Sequence, residues 1–191
     1  MSEIVIIMGS PSDEPKLASG IKFLKDFAGA VEARAYPDES NLLRIGVRCL
    51  SSHRNPAGVD EFIETVNQNN EDQRGNHSND TIDVIIACAG MAAFLPSYIA
   101  AKTDIPVIGV PLSGSALNGF DALCSIAQSP PGVPIVTTAI DGIENGILCA
   151  LRIVGLRNRY VRDQLKVAQA ELSRKNEAAD VEILEHFAKT P

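Results

Sequence analysis

Ile4-Val5-Ile6-Ile7-Met8-Gly9-Ser10-Pro11-Ser12-Asp13 decides the fold. The apolar run is mostly β-branched and lacks the alternation of a half-solvated strand, so it reads as a strand buried on both faces of a parallel sheet. Glycine, serine and proline stop it, and Leu17, Ile21, Leu24 and Phe27 then recur close to a 3.6-residue period. The unit of strand, small polar loop and helix repeats along the chain. A strand is predicted over residues 30–35 and another over 47–50, and Asn55-Pro56 opens a helix bearing Val59, Phe62, Ile63 and Val66. Strands follow at 82–88, 106–111 and 132–137, the second with prolines at its ends, where a sheet tolerates them. Helices are expected up to residue 101, over 118–127 and over 142–154. This alternation predicts an α/β domain at 1–155, a three-layer α/β/α sandwich on a parallel sheet. Residues 156–191 form a charged tail with an apolar stripe, expected to be one or two amphipathic helices that serve packing or a subunit interface. Residues 37–46 and 67–81 read as polar loops, the second rich in asparagine and holding a solvated His77.

Composition narrows the function. The 191 residues are 45% hydrophobic, and 17 basic against 24 acidic residues give a net charge of −7. No basic stripe is present, so nucleic acid is not an expected partner. No apolar stretch has the length of a membrane span. The first apolar run has no basic residues before it and is cut short by Gly9-Ser10-Pro11, unlike a signal peptide. Cys49, Cys88, Cys124 and Cys149 match no zinc spacing, and no metal is expected. Three of the four lie in apolar runs and are expected to be small buried hydrophobes, which suits a reducing, cytoplasmic compartment.

Each strand's carboxyl end leads into a loop of small and polar residues, and in open α/β sheets that edge binds ligands. Gly9-Ser10-Pro11-Ser12-Asp13 offers backbone N–H groups, two hydroxyls and a helix start suited to phosphate. Asp13 suits ribose hydroxyls and equally suits a helix cap. The loop has neither a P-loop lysine nor a dinucleotide glycine pattern, so ATP and NAD are not expected. Ser51-Ser52-His53-Arg54-Asn55-Pro56 joins a phosphate-gripping guanidinium to an imidazole able to move protons near neutral pH. The same hexapeptide could be a helix cap with a solvated charge. Ala89-Gly90-Met91-Ala92-Ala93 lets a ligand approach the backbone closely, and Ser113-Gly114-Ser115-Ala116-Leu117-Asn118-Gly119 could close over it.

These loops, with Phe94-Leu95-Pro96, Gly109-Val110-Pro111 and Gly132-Val133-Pro134, resemble the N5-carboxyaminoimidazole ribonucleotide mutases and carboxylases of purine biosynthesis over residues 3–155. The resemblance implies a flavodoxin-like fold and a homo-octamer whose sites form where subunits meet. It implies that the carboxylate of a phosphoribosyl aminoimidazole moves from the exocyclic nitrogen to ring carbon C4 without metal, ATP, biotin or other cofactor. The substrate decarboxylates in place, and the enamine-like imidazole attacks the trapped carbon dioxide. By matching, His53 handles the proton at both atoms. Ser10, Ser12, Asp13, Ser51 and Arg54 hold the phosphoribose, Arg54 on the phosphate. Ala89, Gly90, Ala92 and Ala93 are the size to make the carbon dioxide pocket, with Met91 beside it at the substrate, and Ser115, Leu117 and Asn118 sit near the base. An ATP-dependent carboxylating synthetase is the implied functional partner.

The chain departs from the family pattern at named positions. The family loop reads glycine-glycine-alanine-alanine-histidine where this chain has Gly90-Met91-Ala92-Ala93-Phe94, and Pro131-Gly132 stands for a glycine pair. Residues 37–46 and 67–81 are lengthened. Two other readings stand beside the mutase: direct carboxylation of aminoimidazole ribonucleotide with carbon dioxide, and a non-catalytic nucleotide-binding paralogue.

Overall fold

The computed structural model describes residues 2–35, 43–72 and 81–188. Its strands are β1 (Ser2–Met8), β2 (Leu43–Cys49), β3 (Ile82–Gly90), β4 (Val107–Leu112) and β5 (Val136–Thr137). All pair in parallel, as the alternating pattern predicts, in the order β2-β1-β3-β4-β5, the flavodoxin-like winding that the family resemblance implies. Helices α1 (Glu14–Ala35), α5 (Ile143–Val154) and α6 (Arg159–Ala188) cover one face, and α2 (Pro56–Asp72), α3 (Phe94–Ala100) and α4 (Phe120–Ala127) the other.

The side-chain period of two sorts β1 between two cores. Ile4, Ile6 and Met8 pack under α1 and α5 with Leu17, Leu24 and Ile147. Val5 and Ile7 pack with Val59, Ile63 and Ile99 of α2 and α3. That two-sided burial is why the run shows no polar alternation. A fully buried isoleucine contributes about 1.5–3 kcal/mol, so the central strands carry much of the stability.

Several expected elements differ. Residues 30–35 are the last turns of α1 and not a strand. Val31 is fully buried and continues the stripe of Leu24 and Phe27, so helical packing outweighs the local β-propensity of one valine. The strand expected at 47–50 runs from Leu43 to Cys49; it lies at the sheet edge and is half exposed, which hides it from hydrophobicity. Helix α2 continues to Asp72, into the segment read as loop from 67. The strand expected over 132–137 shrinks to two residues, since Gly132 adopts a φ of 92° and Pro134 donates no backbone hydrogen bond. The tail is one helix, α6. The rest of the two predicted loops, His77 included, lies outside the described residues.

Only Cys88 of the four cysteines is buried; Cys49 and Cys124 are exposed and Cys149 is intermediate. Cys49 ends the edge strand, and Cys124 lies on the outward side of α4, so their apolar neighbours do not enclose them. Burial pushes the Cys88 thiol far above its ordinary value. No helix among the described residues is long and apolar enough to cross a membrane.

Candidate active site

Strands β1 and β3 are neighbours whose connections leave to opposite faces, and the crevice at their carboxyl ends is the ligand position of this winding. A cavity of about 710 Å³ lies there. Its walls come from four loops: Gly9 to Asp13 after β1, Ser51 to Arg54 after β2, Gly90 to Ala93 after β3, and Ser113-Gly114 after β4.

The β1 loop is held by its own side chains. Ser10 caps the 3₁₀ turn Pro11–Asp13, its Oγ accepting from the Ser12 N–H at 3.4 Å and lying 2.8 Å from Ser12 Oγ. Asp13 follows at the entrance of α1. Its carboxyl is raised above the ordinary value, chiefly because burial disfavours the charge; a Ser10 backbone hydrogen bond and the Lys16 and Arg54 charges oppose that rise.

The hexapeptide divides its work. Asn55 Oδ1 accepts from the Gly58 N–H at 3.1 Å, and Pro56 opens α2. Asparagine as cap and proline at the first helical position are the preferred pair. The capping role therefore belongs to Asn55, while Ser51, His53 and Arg54 line the cavity. Arg54 Nη2 donates to the Gly9 carbonyl at 3.1 Å and Nε to Ser51 Oγ at 3.4 Å. These bonds lay the guanidinium against the β1 loop. The exposed His53 ring has its centroid 5.6 Å from that of Phe94.

The β3 end is narrow for a backbone reason: a Cβ on Gly90 would come within 3.2 Å of the Leu112 carbonyl oxygen. Ala89 and Ala93 are buried beside it. Met91, in a glycine position of the resembling loop, holds a φ of 54° and is largely exposed at the cavity mouth. A methionine there is strained by its Cβ.

The structure thus brings together Ser10, Ser12, Asp13, Ser51, His53, Arg54, Ala89, Gly90 and Met91. It leaves Ser115, Leu117 and Asn118 outside the cavity wall. Ser115 Oγ donates to Asp121 at 2.8 Å and accepts from the Leu117 N–H at 3.3 Å, fastening the turn before α4. Leu117 is 61% exposed and Asn118 has a φ of 49°.

Lining residues not singled out in the sequence include Lys16, Ser52, Leu95 and Ser113. Lys16 lies three residues beyond Asp13, close to one helical turn, and that spacing was its only signal. Its Nζ donates to the Ser113 carbonyl, tying the β1 side of the cavity to the β4 side. Gly114 fits against it: its φ is 100°, and a Cβ there would come 2.8 Å from Lys16 Nζ. Ser52 is buried, and its hydroxyl has no hydrogen-bond partner among the described residues. Among the described residues no three His, Cys, Asp or Glu side chains gather as a metal would require.

A Pyrococcus abyssi protein named N5-carboxyaminoimidazole ribonucleotide mutase is 39% identical over 174 residues, spanning 91% of this chain and 86% of its own. A Candida glabrata phosphoribosylaminoimidazole carboxylase is 37% identical over 185 residues, 96% of this chain but 27% of that much longer protein. The solved structure of Treponema denticola PurE superposes with a TM-score of 0.74 at 19% identity, covering 95% of this chain and 98% of that one, which speaks to the fold. Residues 3–175 match the family described as AIR carboxylase, and a match of that length places this chain in the AIR carboxylase family.

Proposed function

We propose that the protein is an isomerase of purine biosynthesis that converts N5-carboxyaminoimidazole ribonucleotide to its C4-carboxylated isomer. The observation that carries this reading is the convergence of His53 and Arg54 with Asp13 and the small residues of the β3 end on one cavity at the β1/β3 crevice. Arg54 and Lys16 outnumber Asp13 on its walls, which suits an anionic phosphoribosyl substrate in a chain of net charge −7.

The chemistry needs one proton carrier. When the carboxylate leaves the exocyclic nitrogen as carbon dioxide, that nitrogen takes a proton from His53. Carbon C4 then attacks the carbon dioxide, and its proton returns to His53, so no proton is gained or lost over the cycle. Ala89, Gly90 and Ala93 leave a small pocket in which carbon dioxide stays beside C4. Arg54, Ser10 and Ser12 hold the phosphate and Asp13 the ribose. The protein works as a cytoplasmic homo-octamer. The exposed turn carrying Leu117 and Asn118 reaches the base in a neighbouring copy's site, and a carboxylating synthetase supplies the substrate.

Supplied with N5-carboxyaminoimidazole ribonucleotide, the purified protein should form the C4-carboxylated product; no turnover at high enzyme concentration would sink the reading. His53→Asn should lower kcat by at least about 10²-fold. The carboxylase name of the Candida glabrata relative supports a second reading, direct carboxylation of free aminoimidazole ribonucleotide. Product formation from that substrate, dependent on added bicarbonate and faster than from the carbamate, would favour it.

A further inference from the structure

The His53 imidazole stands on an exposed turn, where a side chain has rotamer freedom. A proton carrier that serves two atoms of one substrate needs a fixed ring, since a displacement near 1 Å can lower a rate by about 10²-fold. Among the described residues one ring packs on it: Phe94, with centroids 5.6 Å apart and planes inclined by 40°.

Phe94 is itself braced. It opens α3, and Tyr98, one turn later, meets it edge-on with centroids 5.2 Å apart. The Tyr98 hydroxyl donates to both carboxylate oxygens of Asp60, at 2.9 and 3.1 Å. Lys102 Nζ donates to Asp60 and lies 4.3 Å from the Tyr98 ring centroid. Asp60 belongs to α2, the helix that the His53 turn leads into. The row His53, Phe94, Tyr98, Asp60 therefore begins just before α2 and ends on it, crossing α3 between. Phe94 stays 42% exposed. It lines the cavity beside His53, and its ring contacts among the described residues are the imidazole and Tyr98.

We propose that Phe94, braced by Tyr98 and Asp60, is a positioning residue that sets the ring plane of His53 for both proton transfers. The proposal rests on the reading of His53 as the acid–base group. It assigns a task to the aromatic ring standing where the resembling loop carries a second histidine.

The test compares wild type with Phe94→Ala, Phe94→Tyr and Tyr98→Phe. In proton NMR, with the His53 signals identified by their absence in His53→Asn, the ring protons should carry a ring-current displacement. Phe94→Ala should abolish it, Phe94→Tyr should keep it and Tyr98→Phe should reduce it. With N5-carboxyaminoimidazole ribonucleotide, Phe94→Ala should lower kcat by about tenfold with KM within about twofold, and Phe94→Tyr should restore kcat. A raised KM at unchanged kcat would mean that Phe94 acts only as a wall of the substrate pocket and would overturn the proposal. So would unmoved His53 signals in a Phe94→Ala protein that melts as wild type does. If wild type itself fails to turn over, the mutase reading fails, and the ring-current comparison still decides whether Phe94 holds the imidazole.

Discussion

Asp13 stands on the cavity wall at a cost to folding. Burial raises its carboxyl pKa even though Lys16 and Arg54 stand near it. A raised folded-state value means that the fold prefers the protonated form. The stability from that form is fully present below the unfolded carboxylate value, about 4, and is lost as pH rises through the folded value. Asp13→Asn removes the penalty on the ionised form, so the variant should melt above wild type at pH 7, and the gap should close as pH falls towards 4. Calorimetry with ribose 5-phosphate should show weaker binding by the same variant. Equal melting at both pH values would mean that Lys16 and Arg54 fully offset the desolvation. From the sequence this residue reads as a ribose or capping group. Lys16 gives no such reading, because a lysine in a first helical turn reads as solvated surface until the fold brings Ser113 to it.

Helix α1 carries two glycines whose environments are opposite. A Cβ on Gly20 would lie 2.7 Å from Ile143 Cγ1 and 2.9 Å from its Cγ2, on a β-branched side chain of α5 with little freedom to yield. A Cβ on Gly29 would meet nothing within 4 Å. Replacing a helical glycine by alanine gains about 1 kcal/mol in propensity, while overpacking a core costs about 1–3 kcal/mol. Gly29→Ala should therefore raise the urea midpoint and Gly20→Ala lower it; a rise in both would show that α1 and α5 can move apart freely. Elements buried on both sides were the most legible, since β1 and β3 have to be continuous apolar runs. Elements whose limits are set by neighbours were misread. Nothing near Val31 reveals that α1 continues beneath the sheet, and β2 hides because an edge strand faces solvent. Three of the four site loops were legible because they follow the buried strands β1, β3 and β4; the loop after the exposed edge strand β2 was legible from its own serine, histidine and arginine. The turn at Ser115 was not separable from them, because distance from the cavity is a property of the assembled fold.

At the scale of the molecule, α6 has two halves. Val161 is buried and Tyr160, Leu165 and Ala168 pack against the α1–α5 face. Further out, Leu172, Val181, Ile183, Leu184 and Phe187 are each more than half exposed. Ending the chain after Gln169 keeps the packed half. The truncated protein should retain the circular dichroism of the folded sandwich and sediment as a smaller species than the full chain; an unchanged sedimentation coefficient would exclude the outer half of α6 from the subunit interface. The order of strands also bears on how the molecule is made. Ile4 pairs with Ile45 on one side and Val84 on the other, so β1 waits for both its neighbours. Pairings so distant in sequence give a high contact order, and folding in milliseconds or longer is expected of them, against about microseconds for helical bundles. During synthesis Ile4-Val5-Ile6-Ile7-Met8 stays without its second partner until β3 has left the ribosome. This inner strand, flanked on both sides in the finished sheet, is thus the segment most exposed to aggregation in the nascent chain, and the one a chaperone would have most reason to hold.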